Sequence, residues 1–495
     1  MMGQDDLRTV GPLSNTATTR PLVAAGLARL VWLLWLASLA VLAARLRTGR
    51  GWDLAGVVSV DGLTVLLWVV VTFFSGIVHS YSQRYMAGGR HVSRFFLGVF
   101  AFTLVVMGLV AVDHAALFVL AWLAMGLVMA ELVGHVRGWP QARAAARVAR
   151  RYFLASTALL AVAVGVLWWE TGATTVSGMV GVPGSLPAAT AQVAAGALLL
   201  AAMIQSALVP FHTWLLASMT APTPASALMH AGFVNAGGIL LARFAPVVAV
   251  DPAFMALVVV VGAVSALLGK LLKSVQSDVK RRLGCSTVGQ MGFMIMQAGL
   301  GFFGAAITHL VLHGFYKAYL FLSSGSRVEH TTPGQAAETR SPGAVAVAVT
   351  VLAAVAGGAL FAGLTGKGTA LDGGLVLTLL VVVTTLHATR ELLGRTSLPA
   401  TVRYGAVPLV FLPSIAVYAA VYTAVVEVMA GLPAATASAD LTAVHGVVAA
   451  AFVLTYVAIE TGLYRYSERL YVALVNATQP PADTLLTARE EYNEY

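Results

Sequence analysis

Three ionisable side chains fall in one apolar run, FFGAAITHLVLHGFYKAYLFLSSG. They are His309, His313 and Lys317, at positions i, i+4 and i+8. In a helix that spacing stacks them along a single face. Each ionisable group at the centre of a bilayer costs roughly 2.5–3.5 kcal/mol or more, so three on one face require water or polar partners beside them. Histidine and lysine can both carry and release a proton, which suits a proton or ion relay. The competing reading is a polar packing seam between helices.

A second segment, QSALVPFHTWLLASMTAPTPASALMHAGFVNAGGILLAR, has a different signature. Pro210, Pro222 and Pro224 are expected to break the helical ladder near membrane depth. Such breaks are tolerated only where protein or a water-filled cavity satisfies the freed backbone. His230 and Asn235 follow, and His230 reads equally as a relay group or a satisfied buried histidine. His212, beside Trp214, reads as interfacial. Lys367 sits between glycines in GGALFAGLTGKGTALDGG; a second helix break and an ordinary loop near Asp372 both fit. Glu131, towards the end of the fourth helix and followed by His135, reads as interfacial. Lys270, Lys273, Lys280, Arg281 and Arg282 read mostly as a solvated loop. Arg243, Glu427 and Glu460, near helix ends, receive no role. There is no HExxH, no GxSxG and no clustered Cys/His set; Leu310 follows His309 where a zincin pair needs Glu. No cofactor or metal is expected in this chain.

These residues need a scaffold, and composition defines it. Of 495 residues, 59% are apolar and 10% charged, against about 25% charged in a soluble domain. With a mean hydropathy of +0.84, a soluble enzyme, a disordered chain and a coiled coil are excluded. What remains is an all-α polytopic membrane protein. Pro21 to Ala44 is the first apolar run, read as an uncleaved membrane helix. Helix-length runs follow near 58–80, 93–112, 114–136, 151–169, 188–209, 223–246, 253–272, 284–300, 302–325, 343–364, 374–393, 405–430 and 442–464. A shorter piece, Phe211 to Met219, reads as half a helix, and the whole reads as about 14 transmembrane elements in a single domain over 21–464. A polar, flexible segment 1–20 precedes it, and a tail over 465–495 follows.

The net charge is +9. Its basic residues lie in short loops, so the partner they imply is membrane lipid and not nucleic acid. Arg84, Arg90 and Arg94 and the run Arg137, Arg143, Arg147, Arg150 and Arg151 belong to one side, cytoplasmic by the positive-inside rule. Arg8 and Arg20 join them; Arg45, Arg47 and Arg50 fall opposite. The single Cys285 excludes a disulfide framework and a cysteine-ligated iron–sulfur cluster. No Walker A motif or convincing dinucleotide fingerprint is present.

PFHTWLLASMTAPTPASALMHAGFVNAGGILLAR, SVQSDVKRRLGCSTVGQMGFM with ITHLVLHGFYKAYLFLSSGS, and VDGLTVLLW with HSYSQRYM resemble the signatures of the antiporter-like membrane subunits of respiratory complex I and Mrp antiporters. The resemblance covers most of 58–330 and weakens beyond 340. It implies two inverted five-helix repeats, each with a broken helix, around a polar axis. By resemblance His230 matches the family histidine of the first repeat. His309, His313 and Lys317 match its central His/His/Lys set, and Lys367 matches the lysine of the second broken helix. Two positions depart from the pattern. The family's Trp-Glu motif reads Trp122-Leu123-Ala124, and its lysine before Ser-Ala is Gln205. Glu131, eight residues along the same helix, is the candidate substitute. These departures resemble one branch, the DabB-type membrane subunits of inorganic-carbon accumulation. That resemblance implies an inner (plasma) membrane location and a cation, proton or sodium, passing down its gradient. It also implies a DabA-like partner of zinc carbonic-anhydrase type, whose CO2 hydration becomes one-way so that bicarbonate accumulates. With its short C-terminus, the sequence is expected to lack the lateral helix of the complex I subunit. The alternative is a proton-pumping subunit of a complex I-type or membrane hydrogenase complex, which the missing Glu/Lys pair disfavours.

Overall fold

The computed structural model describes residues 22–89, 91–181, 186–327, 343–393, 399–432, 440–481 and 484. The expected N-terminal segment with Arg8 and Arg20, Arg90, the stretch 328–342 and the end of the tail lie outside the described residues. Helix α1 (Leu22–Thr48) leads to an antiparallel hairpin, β1 (Trp52–Leu54) on β2 (Val58–Val60), with Trp52 opposite Val60. Asp61 then caps α2 (Gly62–Tyr85), its carboxylate accepting the Thr64 N–H at 2.8 Å. The chain continues through α3 (Val92–Ala111) and α4 (Ala115–Val133) to α5 (Pro140–Thr171). Proline at the first turn of α5 has no hydrogen-bond donor to waste there, so α5 begins before the expected 151. Arg143, Arg147, Arg150 and Arg151 therefore lie on helix and not in a loop.

The short α6 (Val176–Val180), α7 (Ala188–Gln205) and buried α8 (Thr213–Ala217) follow, then α9 (Thr223–Ala231), α10 (Ala236–Arg243) and α11 (Ala245–Val248). Next come α12 (Pro252–Ser274), α13 (Val279–Gly299) and α14 (Phe303–Leu322). The last part holds α15 (Ala344–Thr365), α16 (Gly374–Leu393), α17 (Ala400–Ala406), α18 (Leu412–Val428), α19 (Ala443–Glu460) and the amphipathic α20 (Glu468–Ala477). A π-helical turn, Val407–Phe411, joins α17 to α18 within one span.

Among the described residues, eleven helical spans are long and apolar enough to cross a membrane. Helices α13, α14 and α16 fall outside that set. The first two carry the polar residues, and the apolar stretch of α16 stops at Arg390. The chain is thus an all-helical polytopic membrane protein, apart from one small hairpin.

Helices α12 and α13 meet backbone to backbone. A Cβ on Gly269 would lie 2.2 Å from the Gly289 nitrogen, and one on Gly262 2.4 Å from the Met296 nitrogen. Small residues that let helices touch are a recurrent membrane packing device, because dispersion replaces the hydrophobic effect there. The joint fixes α13 beside α14, where the polar axis lies.

Candidate ion-translocation axis

Two of the three prolines of the second segment stand at the start of a helix and do not interrupt one. Pro222 is the N-cap of α9 and Pro224 lies in its first turn. Pro210 lies in the connection between α7 and α8. The interruption comes later, at Gly232 and the 3-10 turn Phe233–Asn235, between α9 and α10. This corrects the expected position of the break and puts it directly after His230. Of the eleven spans, Thr223–Arg243 is the most enclosed, 89% buried. The freed backbone is satisfied by protein: Ser206 at the end of α7 donates to the Val234 carbonyl at 2.6 Å, and Asn235 Nδ2 donates to Ala231 at 2.8 Å.

His230 is fully buried. Its Nδ1 lies 2.9 Å from the Thr287 hydroxyl of α13, and its ring stacks on Phe321 of α14 with centroids 4.2 Å apart. Thr287 donates to the Leu283 carbonyl at 3.1 Å, so its oxygen accepts from His230 and the hydrogen belongs on Nδ1. Lys317 Nζ donates to the same Leu283 carbonyl at 2.9 Å. His230, Thr287, Leu283 and Lys317 thus form one hydrogen-bonded chain across three helices. The His313 ring stacks on that of His309 at 5.6 Å and 19°. Helix α14 therefore presents its three groups as a column, and His230 joins it at the His313–Lys317 end. Lys317 is 0% exposed, and among the described residues no carboxylate pairs with it.

Several buried atoms here have no protein partner: Nε2 of His230, His309 and His313, both amide atoms of Gln205, and Oδ1 of Asn235. Polar atoms left so in apolar surroundings cost about 1–3 kcal/mol each. Lone pairs and N–H groups of this kind are what a proton or a hydrated ion binds.

The other expected residues lie elsewhere. Glu131 is half-exposed and pairs with Arg94 and Arg137 on the arginine-rich side. His135 is buried against Phe95, contrary to the interfacial reading. Burial, then Arg94, His91 and Arg137, push its imidazole down to about 4. Lys367 lies in the loop between α15, a full-length span, and α16, whose apolar stretch is shorter. Its ammonium sits 3.5 Å over the Phe302 ring and 4.8 Å from Tyr422, a cation–π cradle at the start of α14. That is the end opposite Lys317. His212 is buried, and its Nε2 meets the Ala477 carbonyl at 2.9 Å, tying α20 to α8.

Two ionic groups escaped the sequence reading. Arg243 pairs with Asp61 and donates to the Val110 carbonyl at 2.9 Å, fastening the end of α10 to the cap of α2. Burial alone would raise the Asp61 carboxyl; Arg243 and the Thr64 N–H and hydroxyl outweigh it and hold it below its usual value. The second group unites Lys270, assigned above to a solvated loop, with Glu460, given no role. Lys270 Nζ lies 2.9 Å from His387 Nε2, and His387 Nδ1 lies 2.5 Å from Glu460 Oε1. Arg390 Nε holds the other Glu460 oxygen at 3.0 Å. The available signal was ionisable residues at the ends of apolar runs, with His387 and Arg390 three apart on a helix.

Fold and axis together define a polytopic helical membrane subunit with a buried titratable column. The chain belongs to the family described as NADH:quinone oxidoreductase/Mrp antiporter membrane subunits, whose model matches residues 113–390, more than half of its length. A model of the complex I chain 5 N-terminus matches residues 51–96. Among curated relatives, a probable inorganic carbon transporter subunit DabB1 of Halothiobacillus neapolitanus is 40% identical over 55% of this chain and 50% of its own. The probable DabB of Bacillus subtilis is 39% identical over 54% and 53%. NADH-quinone oxidoreductase subunit L of Escherichia coli is 37% identical over 54% and 44%. The chain spans about half the length of the curated relatives it matches. The Mrp complex of Dietzia superposes with a TM-score of 0.54 at 24% identity, over 95% of this chain and 51% of that one. An archaeal membrane-bound sulfane sulfur reductase gives 0.57 at 15% identity, over 94% of both chains, a likeness of fold alone.

Proposed function

We propose that the chain conducts a cation, proton or sodium, through the axis of His230, His309, His313 and Lys317. In this reading the flow drives one-way CO2 hydration in a DabA-like partner of zinc carbonic-anhydrase type, so that bicarbonate accumulates. The chain sits in the cell inner membrane with its arginine-rich side in the cytoplasm, and catalysis and zinc belong to the partner. The observation that carries the reading is the buried column on α14, joined to the broken helix through Thr287 and Leu283. Relatives named as inorganic carbon transporter subunits supply the substrate class. Lys367, at the far end of α14, is the group that exchanges the ion on that side. Glu131 is tied up by two arginines and is given a secondary role at most.

A redox-complex subunit is the second reading, favoured by the likeness to subunit L. The Trp122-Leu123-Ala124 and Gln205 substitutions weigh against it. Growth at ambient CO2 of a host lacking carbonic anhydrase tests the first reading. The pair should support growth, this chain alone should not, and an uncoupler should stop bicarbonate accumulation. Growth with this chain alone would sink the two-subunit claim. Accumulation that persists in uncoupler and without a sodium gradient would sink the coupling.

A further inference from the structure

The Lys270–His387–Glu460 group lies off the column, where α12, α16 and α19 end on the arginine-rich side. It has the parts of a proton wire. Glu460 accepts from His387 Nδ1–H and from Arg390, which leaves His387 Nε2 with a lone pair aimed at the Lys270 ammonium 2.9 Å away. Each member faces its neighbour at hydrogen-bond distance. The Glu460 side chain is 13% exposed, between His387 at 31% and Arg390 at 44%, so the carboxylate is shielded by two more exposed partners at the membrane surface. Lys270 follows Gly269, which meets Gly289 of α13 backbone to backbone, and the Leu283 carbonyl of that same helix holds Lys317. The group therefore stands between the buried column and the membrane surface.

We propose that Lys270, His387 and Glu460 form a proton port connecting the Lys317 end of the column to the arginine-rich face. Lys270 passes a proton from Nζ to Nε2 of His387 while Nδ1–H of the same ring passes to the Glu460 carboxylate. The triad then holds neutral lysine, neutral histidine and carboxylic acid in place of ammonium, neutral histidine and carboxylate, so charge and protons balance. Arg390 steadies Glu460 as a positioning residue. Among the described residues, Lys273 lies one turn from Lys270 on α12, Tyr456 on α19 is edge-on to His387 at 6.4 Å and beside Arg390, and α20, packed on α12, carries Glu468, Arg469 and Tyr471. Helix α15, packed along α16, brings no titratable side chain. The port rests on the cation-conducting reading above and narrows its cargo on this side to protons.

The test uses inverted membrane vesicles from cells expressing the full chain together with its hydratase subunit, with proton and sodium fluxes read separately. In His387→Gly, proton flux should fall about tenfold or more, and added imidazole should restore it. Glu460→Gln should cause a similar fall and displace the pH profile of the remaining flux. Should His387→Gly fail to reach the membrane, Glu460→Gln decides alone. Full flux with an unchanged pH profile in either variant overturns the port. So does a loss in His387→Gly that imidazole does not repair, which would mark a structural clamp. Wild-type vesicles that move sodium but not protons overturn the port and spare the cation reading. Vesicles that move neither overturn the cation reading itself.

Discussion

Lys317 and Lys270 both approach the arginine-rich face from within long helices, yet they are held in opposite ways. Lys317 is 0% exposed, in the tightly packed half of the molecule, with one main-chain carbonyl as its acceptor. Lys270 is partly exposed beside the looser last helices, and it leans on a histidine backed by a carboxylate. The spans reflect the same contrast: Thr223–Arg243 is 89% buried, whereas the spans containing α18 and α19 are each 11% buried. A charge set against a single dipole is held loosely, and one in a carboxylate network is held firmly. In the proposed reading the enclosed half hands a proton on, and the outer cluster takes it up at the arginine-rich face.

Replacing Lys317 strikes the loosely held site. Lys317→Ala is expected to reduce cation flux about a hundredfold or more with the protein still in the membrane, and carbon-dependent growth should cease. Lys317→Arg sharpens the point, because arginine keeps a charge but cannot release a proton. Activity retained in Lys317→Arg would mean that fixed charge suffices and that the contrast with Lys270 is empty. Next in size is the joint on which the enclosed half rests. Gly269→Val pushes α12 off α13 and should cost about 1–3 kcal/mol, seen as a lower melting temperature in detergent. An unchanged melting temperature would show that the two helices separate freely.

Smaller effects belong to the arginine-rich rim. His135 is held near 4, below the usual histidine value of about 6.5. The unfolded chain therefore binds the extra proton first as pH falls. Stability is unaffected above about 6.5 and declines as pH drops from there to about 4. His135→Gln should flatten that limb of a melting temperature against pH curve, and an unaltered limb would remove His135 as its cause. Glu131→Gln should change flux less than about twofold, since exposed ion pairs contribute about 0–1 kcal/mol. A loss as severe as that of Lys317→Ala would make Glu131 the stand-in for the glutamate missing after Trp122.

The column on α14 is legible in the sequence because i, i+4, i+8 is a local rule of helix geometry. The all-helical class is legible for the same kind of reason: apolar runs of the right length leave few alternatives. The position of the broken helix was misread, because proline both starts and interrupts helices and only neighbouring elements decide which. The outer cluster was hidden for another reason. Lys270 and His387 are 117 residues apart, and His387 and Glu460 are 73 apart. No periodicity links residues on three separate helices, and each alone resembles an interfacial charge. The partners of His230 were hidden likewise, since Thr287 and the Leu283 carbonyl carry no signature of their own.

Lys317 is the fifteenth of the twenty residues of α14, about three quarters of the way from the Lys367 end. In electrical terms the column divides the membrane unequally. Moving one charge across a potential of 100 mV involves about 2.3 kcal/mol. A proton travelling from the Lys367 end to Lys317 would cross about three quarters of that drop, and one leaving Lys317 for the arginine-rich face about one quarter. Voltage would therefore act mainly on how the column is loaded from the Lys367 end and only weakly on how Lys317 empties.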